Sequence, residues 1–486
     1  MKIKPAIILL SLVSGLNGAA QQRDTAQLSL KQVVEMAKAK SIASKQATTL
    51  KETKYWEWRT YMSDYKPQLS LNGNIPGYSK TFREVLQPNG TIEFQPVRYN
   101  NSALNLALSQ SIAKTGGTVF ATTQMQRFDD FDRDRFSYNG VPYAIGYSQP
   151  LLQYNALKWD QKVEPLKYSE SQQSYIESLE EISIMASRYF FERLLAQVNL
   201  QIAETNLANT QNILRIAVEK FDMGKISRNE ILQLELEQVK AQKAVGIAKR
   251  DMEISTLNLR SYIGLQSTDK IALLLPDARI NMVVDTARVV AEAYANRSDA
   301  IGFVRRLIEA KRDVAKARGE NGLNATLTAR VGFSKSAQSL GKVYQSPLNQ
   351  QAFQLQFDIP ILDWGRSKSR TKTAEAIEQF TEYAVEQDKQ NSTQEIYTQV
   401  TLFDMMNDQL LLTAKADSIA SEKYGIAKDR YVLDNLSITD LSIAFQENDQ
   451  AKRDYIYALR DFWGAYYQLR YLALYDFEKA QKITYR

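Results

Sequence analysis

The chain has no His and no Cys among its 486 residues, so its chemistry is limited to carboxylates, amines and hydroxyls. That removes thiolate and imidazole metal sites, Cys nucleophiles and every His-based triad, and leaves carboxylate-only mechanisms. No paired-acid constellation suited to a carboxylate hydrolase is present. Hydroxyls and acids do recur at one fixed spacing, in Ser227-Arg228-Asn229-Glu230 and in Ser437-Ile438-Thr439-Asp440. A Ser three residues ahead of an acid can form a capping box at a helix start, where the macrodipole also favours the negative charge. On this spacing Asp440 reads as a solvated first-turn carboxylate, which is not bond-making chemistry. No cofactor, metal or enzymatic activity is expected.

These two patterns are equivalent positions of a duplicated chain. A constant offset of 210 places Pro150-Leu151-Leu152 on Pro360-Ile361-Leu362, Phe221 on Tyr431 and Ser227 on Ser437. Upstream the offset becomes 256, so the first copy carries about 46 additional residues between its first and last strands. Each copy reads as helix, strands, long helix, turn, long helix. From Leu152 to Phe221 only Pro165 interrupts, and Leu362 to Tyr431 contains no Pro. Some 70 residues at the helical rise make about 100 Å. The return helices carry strict heptad seams, at Ala241, Val245, Ala248, Met252, Ser255, Leu259 and Tyr262, and again from Ala451 to Leu472. Such spacing predicts coiled-coil-like packing.

Before the long helices lie period-two segments: Leu104, Leu106, Leu108; Tyr143, Ile145, Tyr147; Leu327, Ala329, Val331, Phe333; and Phe353, Leu355, Phe357, Ile359. Polar residues such as Asn105, Gln354 and Gln356 alternate with them, as in barrel strands with lipid on one side and water on the other. Strands are predicted around 68–78, 102–112, 117–127, 141–150, 325–334 and 351–359, with Gly116-Gly117 as a tight turn. The stretches Ser79–Asn101 and Asp129–Gly140 read as surface loops. Four to six strands cannot close a membrane barrel, since the smallest have eight, so two or more chains must share one.

The N-terminus fits export. Lys2 and Lys4 precede an apolar run from Ala6 to Leu16 and the small residues Gly18-Ala19-Ala20, a secretory signal pattern with the mature chain starting near Gln21. The formal charge of +6 falls to +4 when that segment's two Lys are removed. Basic and acidic residues interleave, so no nucleic-acid partner is expected. The absence of Cys suits an oxidising compartment and leaves no acceptor for a lipid anchor on an N-terminal Cys.

At the helix turns the residues resemble a known family, the TolC-like outer-membrane efflux proteins or outer-membrane factors. The shared motif is an aromatic, a Gly three positions later, a Ser or Thr, then an acid and Leu. The first copy reads Phe221-Asp222-Met223-Gly224, then Ser227, Glu230 and Ile231; the second reads Tyr431-Val432-Leu433-Asp434-Asn435-Leu436-Ser437, then Asp440-Leu441. The resemblance covers essentially the whole mature chain. It implies a homotrimer with a twelve-stranded barrel, four strands per chain, on an α-helical tunnel crossing the periplasm. Against that pattern the first copy holds two strands too many, and either the hairpin 102–127 adds to the barrel wall or part of 68–112 packs elsewhere. It further implies a periplasmic adaptor and an inner-membrane pump as partners. Tyr431 matches a gating Tyr and Asp440 the first of two constriction acids, while Leu436 and Ile443 stand where an Arg and the second acid are expected. The tips that would meet the adaptor are Gly224 and Ser227 in the first copy and Asn435 and Ser437 in the second, with Gly224 and Asn435 suited to left-handed turns.

The expected organisation is a signal peptide 1–20, an N-terminal helix 21–67, barrel strands and surface loops 68–150, and a long hairpin 151–264. An equatorial segment 265–285 follows, then a second N-terminal helix 286–322, strands 323–360, a second hairpin 361–474 and a tail 475–486. The expected fold is mainly α with a membrane β-barrel shared between chains. The expected function is an exit duct for efflux or type I secretion, in contact with outer-membrane lipid. The alternative is a periplasm-spanning coiled-coil tether, which has no need of lipid-facing strands.

Overall fold

The structure, a computed structural model, describes residues 26–265, 271–277, 284–433 and 435–485. The signal segment read over 1–20, part of the equatorial segment and Asp434 lie outside them. The first copy comprises β1 (Ala26–Leu28), α1 (Leu30–Lys40), α2 (Ile42–Asp64), β2 (Gln68–Asn74), β3 (Tyr78–Leu86), β4 (Ile92–Ile112), β5 (Gly117–Asp130), β6 (Arg135–Leu151), α3 (Ala156–Asp222) and α4 (Arg228–Ile263). After β7 (Ile271–Leu273) the second copy runs α5 (Thr286–Asn296), α6 (Ser298–Glu320), β8 (Asn324–Ala337), α7 (Leu340–Val343), β9 (Leu348–Asp358), α8 (Arg366–Val432) and α9 (Ile438–Ala473). β10 (Tyr475–Asp476) and β11 (Gln481–Lys482) form the tail.

The duplication holds to the residue in the hairpins: α3 and α8 each have 67 residues, α4 and α9 each 36. Where one N-terminal helix was expected in each copy there are two. The breaks fall at Ser41 and Arg297, both with extended backbone, and at the offset of 256 already seen in the sequence. Neither break is marked by Gly or Pro. The return helices end in equivalent left-handed residues, Gly264 at φ 70° and Leu474 at φ 46°. A Cβ on Gly264 would lie 2.9 Å from the carbonyl oxygen of Lys40, so a side chain is excluded there. Leu474 instead fills the core, fully buried.

Contacts divide the described chain into two compact units. One holds β1, α1, β7, α4, α3 from Ile182 onward and Leu410–Asp461. Its apolar centre includes Phe190, Phe191, Leu194, Leu259 and Ile263, all buried. Arg193 is buried beside them. It donates to the carbonyl of Ile271 at 2.9 Å and to the Thr256 hydroxyl at 2.6 Å, pinning the parallel β1–β7 pair to α3. Burial pulls its guanidinium down to about 10, with Glu253 opposing and Arg260 adding to the effect.

The second unit holds the main sheet, α2, α5 to α7 and the remaining helix segments. Phe403 and Phe462 meet there at 5.4 Å between ring centroids. A charged cluster fastens the tail. Arg470 pairs with the fully buried Glu180 at 3.1 Å and with Asp476 at 2.7 Å, and the Tyr485 hydroxyl donates to Glu180. Burial alone would lower the Arg470 guanidinium, but Glu180 reverses this and holds it well above its ordinary value.

The sheet is antiparallel throughout, in the order β2-β4-β5-β6-β8-β9. β3 also pairs with β4, against residues 92–100, while β2 pairs against 103–109. β2 and β3 thus lie end to end along one neighbour, and the sheet is six strands wide. The turn expected at Gly116-Gly117 forms, with Ile112 opposite Gly117. The expected loops Ser79–Asn101 and Asp129–Gly140 are instead mostly strand: β3 and the first half of β4 make a two-stranded ribbon, and only 131–134 turns between β5 and β6. A ribbon solvated on both faces needs no apolar alternation, which is why its composition reads as loop.

Candidate functional site

The site residues singled out from the sequence all fall at the two long-hairpin turns, within one unit. α3 ends because Gly224 adopts φ 73°, a left-handed conformation that a Cβ disfavours. The Lys225 N–H then donates back over five residues to the carbonyl of Lys220 at 2.9 Å. The second turn closes with the same bond, from the Asn435 N–H to the carbonyl of Arg430 at 2.9 Å, reinforced by an Arg430 guanidinium N–H donated to the Asn435 carbonyl at 3.3 Å. The position equivalent to Gly224 is Asp434, outside the described residues.

Ser227 starts α4. Its oxygen accepts the Glu230 N–H at 3.4 Å, while its own N–H and hydroxyl donate to the Glu230 carboxylate at 2.7 and 2.9 Å. These bonds from the Ser227 backbone and side chain hold the Glu230 carboxyl below its ordinary range. Ser437 and Asp440 repeat the arrangement, with the Asp440 N–H donating to the Ser437 oxygen at 3.1 Å and the hydroxyl to the carboxylate at 2.7 Å. Asp440 remains exposed to solvent despite this role.

The tip aromatics differ. Tyr431 is 9% exposed and packs with Ala427, Leu441, Ala444 and Leu436, with the Lys220 ammonium 5.1 Å from its ring centre. Phe221, its counterpart, is 38% exposed. Leu436, standing where the resemblance expects an Arg, is thus part of the apolar packing around Tyr431. Ile443 is exposed.

Two features escaped the reading from sequence. One is a pair of polar links from α3: Asn206 donates to Asp449 of α9 at 2.7 Å, and Asn209 to the Tyr424 hydroxyl of α8 at 2.9 Å. Asp449 is 8% exposed, and burial pushes its carboxyl up, with the Asn206 bond opposing. No local spacing announces such a contact across 243 residues. The other is an apolar stripe running along α8 to the first residue after it, Leu412, Ile419, Ile426 and Leu433, each more than half exposed. Its seven-residue period was legible in the sequence. On α4, Leu232, Leu236 and Val239 are likewise exposed.

Residues 305–473 match the family model for outer membrane efflux proteins. The probable outer membrane lipoprotein SilC of Salmonella typhimurium is 24% identical over 229 residues, a match spanning 46% of this chain and 48% of SilC. The chain therefore spans about half the length of that curated relative. Its fold is similar to that of the CmeC outer membrane channel of Campylobacter jejuni, with a TM-score of 0.67 at 15% identity, covering 94% of this chain and 87% of CmeC. It is also similar to the open state of the MtrE outer membrane channel of Neisseria gonorrhoeae, with a TM-score of 0.63 at 17% identity over 92% and 88% of the two chains. The family's sequence model thus covers most of the second copy, and over nine-tenths of its length the chain has a fold similar to that of these outer membrane channels.

Proposed function

We propose that the protein is the outer-membrane exit duct of a tripartite efflux or type I secretion system, passively conducting substrates delivered by an inner-membrane pump through a periplasmic adaptor. The observation that carries this reading is the exposed heptad stripe Leu412, Ile419 and Ile426 on α8, continued by Leu433 just after it. A lone chain has no reason to leave such a seam in water, whereas coiled-coil packing against an equivalent chain buries it. The apolar residues left open on α4 offer the complementary surface, so copies join head to tail, and head-to-tail contacts that close make a ring. Three copies form the homotrimer. Within it Tyr431 packs the entrance turn, Asp440 supplies a ring of three carboxylates, and Gly224, Ser227, Asn435 and Ser437 present the adaptor-docking tips. The tether alternative leaves the apolar face of the sheet unexplained.

The test is assembly and conductance together. Detergent-extracted protein should be a trimer by light scattering and should form single channels in a planar bilayer. Ile419→Glu places a charge in the seam and should abolish both. A monomeric wild type, or a trimer that conducts nothing, sinks the reading.

A further inference from the structure

We infer that the hairpin β4–β5 is part of the lipid-facing wall, so that each chain supplies six strands to a shared barrel and a trimer closes an eighteen-stranded ring. This rests on the duct reading above and departs from the four strands per chain that the resemblance implies.

Three observations carry it. The pairing is continuous: Leu69 lies opposite Leu108, Leu108 opposite Ala121, Ala121 opposite Ile145 and Ile145 opposite Val331. Directly paired residues in an antiparallel sheet point to the same face, so one apolar face crosses β2, β4, β5, β6 and β8 without a gap. The row Tyr147, Ala329, Phe353 takes it on to β9. The opposite face is polar through the middle of the hairpin, with Asn72 opposite Asn105 and Asn105 opposite Gln124, and towards the turn it carries Phe120 over Gly146. A hairpin folded into a watery lumen would be solvated on both faces and would have no use for this division.

Second, the hairpin reaches the full depth of the sheet. Gln110 donates to the carbonyl of Tyr65, just after α2, at 2.9 Å. Asn155, just before α3, donates to the carbonyl of Ala113 in the hairpin turn at 2.8 Å. The turn is therefore held at the level where both helices leave the sheet, and above it β4 and β5 each have the roughly 9 to 11 residues a tilted crossing needs.

Third, the sheet ends in two open edges, β2 with β3 on one side and β9 on the other, and β2 and β9 are exposed along their whole lengths. Unpaired backbone in hydrocarbon is too costly to persist, so these edges must be covered. The occupant is a second copy of this chain. Six antiparallel strands alternate in direction, so β9 of one copy meets β2 of the next antiparallel, as an even-stranded barrel requires. Barrel diameter grows roughly linearly with strand number, so eighteen strands give a bore about 1.5 times that of twelve, in the range where porins hold an open aqueous channel. The outer-membrane end is then no size filter, and selection by size falls to the helix tips.

The chain has no native Cys, so single substitutions can be labelled without background. Asn105→Cys and Gln124→Cys, on the polar face, should react with a membrane-impermeant maleimide in liposome-reconstituted trimer. Leu106→Cys and Ala121→Cys, on the apolar face, should react at least tenfold more slowly until detergent dissolves the membrane. Equal reactivity on both faces overturns the inference. A strand count by electron cryomicroscopy of wild-type trimer needs no variant: eighteen supports it, while a conducting trimer with twelve overturns it and leaves the duct reading intact. Absence of any trimer overturns both.

Discussion

The two copies of the repeat agree in their helices to the residue and disagree in their strands by a whole hairpin. Helices that share a coiled-coil layer must end at the same level, because a one-residue slip rotates every side chain by about 100° and unseats the seam. A sheet has no such constraint on width. Inserting one hairpin keeps the strand directions alternating and returns the chain to the same end of the sheet. The 67- and 36-residue helices are thus fixed by packing, while the strand number is free to change in pairs.

A second difference lies in the seams. Asn206 and Asp449 make a buried polar link inside the chain, and the offset of 210 places them on Ala416 and Val239, both exposed. The seam within a chain carries a hydrogen-bonded pair that specifies one partner. The equivalent positions, Ala416 and Val239, are apolar and exposed, as the proposed contact between chains requires.

The largest expected effect concerns Arg470 and its counterpart Arg260. Arg470→Leu leaves Glu180 charged, buried and uncompensated, at a cost of about 3 to 5 kcal/mol, read as a lower Tm of the purified protein. Arg260 stands close enough to Arg193 to depress its guanidinium, so a relieved repulsion offsets part of the cost of Arg260→Leu, and the loss should be smaller than for Arg470→Leu. Equal losses would break the comparison.

Gly224→Val comes next. A Cβ there meets nothing within 4 Å, so the penalty is backbone strain alone at φ 73°, of order 1 to 3 kcal/mol. Export in cells should fall while the trimer persists. Gly246→Ala, in open space on α4, should leave export unchanged and stabilise slightly. Unchanged export in Gly224→Val would remove the tip from adaptor docking.

Asp440→Asn and Glu230→Gln sharpen the contrast between tips. Both keep the hydrogen bonding at the helix start and remove one charge per chain. Only Asp440→Asn should reduce cation selectivity and the block by polyamines applied from the periplasmic side, and with Ile443 supplying no second acid the wild-type block should itself be modest. Equal effects, or none, would leave Asp440 a capping residue and nothing more.

The smallest effect is at Asp449. Its carboxyl is raised by burial, so its contribution to stability is fully present below the ordinary carboxylate range and is lost as pH rises through the folded value. Asp449→Asn keeps the Asn206 bond and removes that loss. The variant should melt higher than wild type at pH 7.5 and no higher at pH 3.5; a gap of the same size at both pH values would exclude the titration.

Much of this was legible beforehand. Hairpin lengths followed from the duplication, because a repeat at constant offset carries its turns with it. The strand positions followed from alternation wherever one face meets lipid. The ribbon of β3 and β4 was not legible, since water on both faces leaves no pattern, nor were the helix breaks at Ser41 and Arg297, which use extended backbone that any residue adopts. Tyr431 was visible as a tip aromatic. Its burial against Leu436 depends on which face of α8 turns inward, and that is decided by the neighbouring helices.

The hairpin β4–β5 also limits how such a pore can vary. One hairpin inserted in the gene is copied into every subunit, so with threefold symmetry the smallest change in circumference is six strands. Bore in these assemblies would then come in discrete sizes, twelve, eighteen or twenty-four, and a lineage needing a wider mouth reaches it in one insertion without altering a single helix.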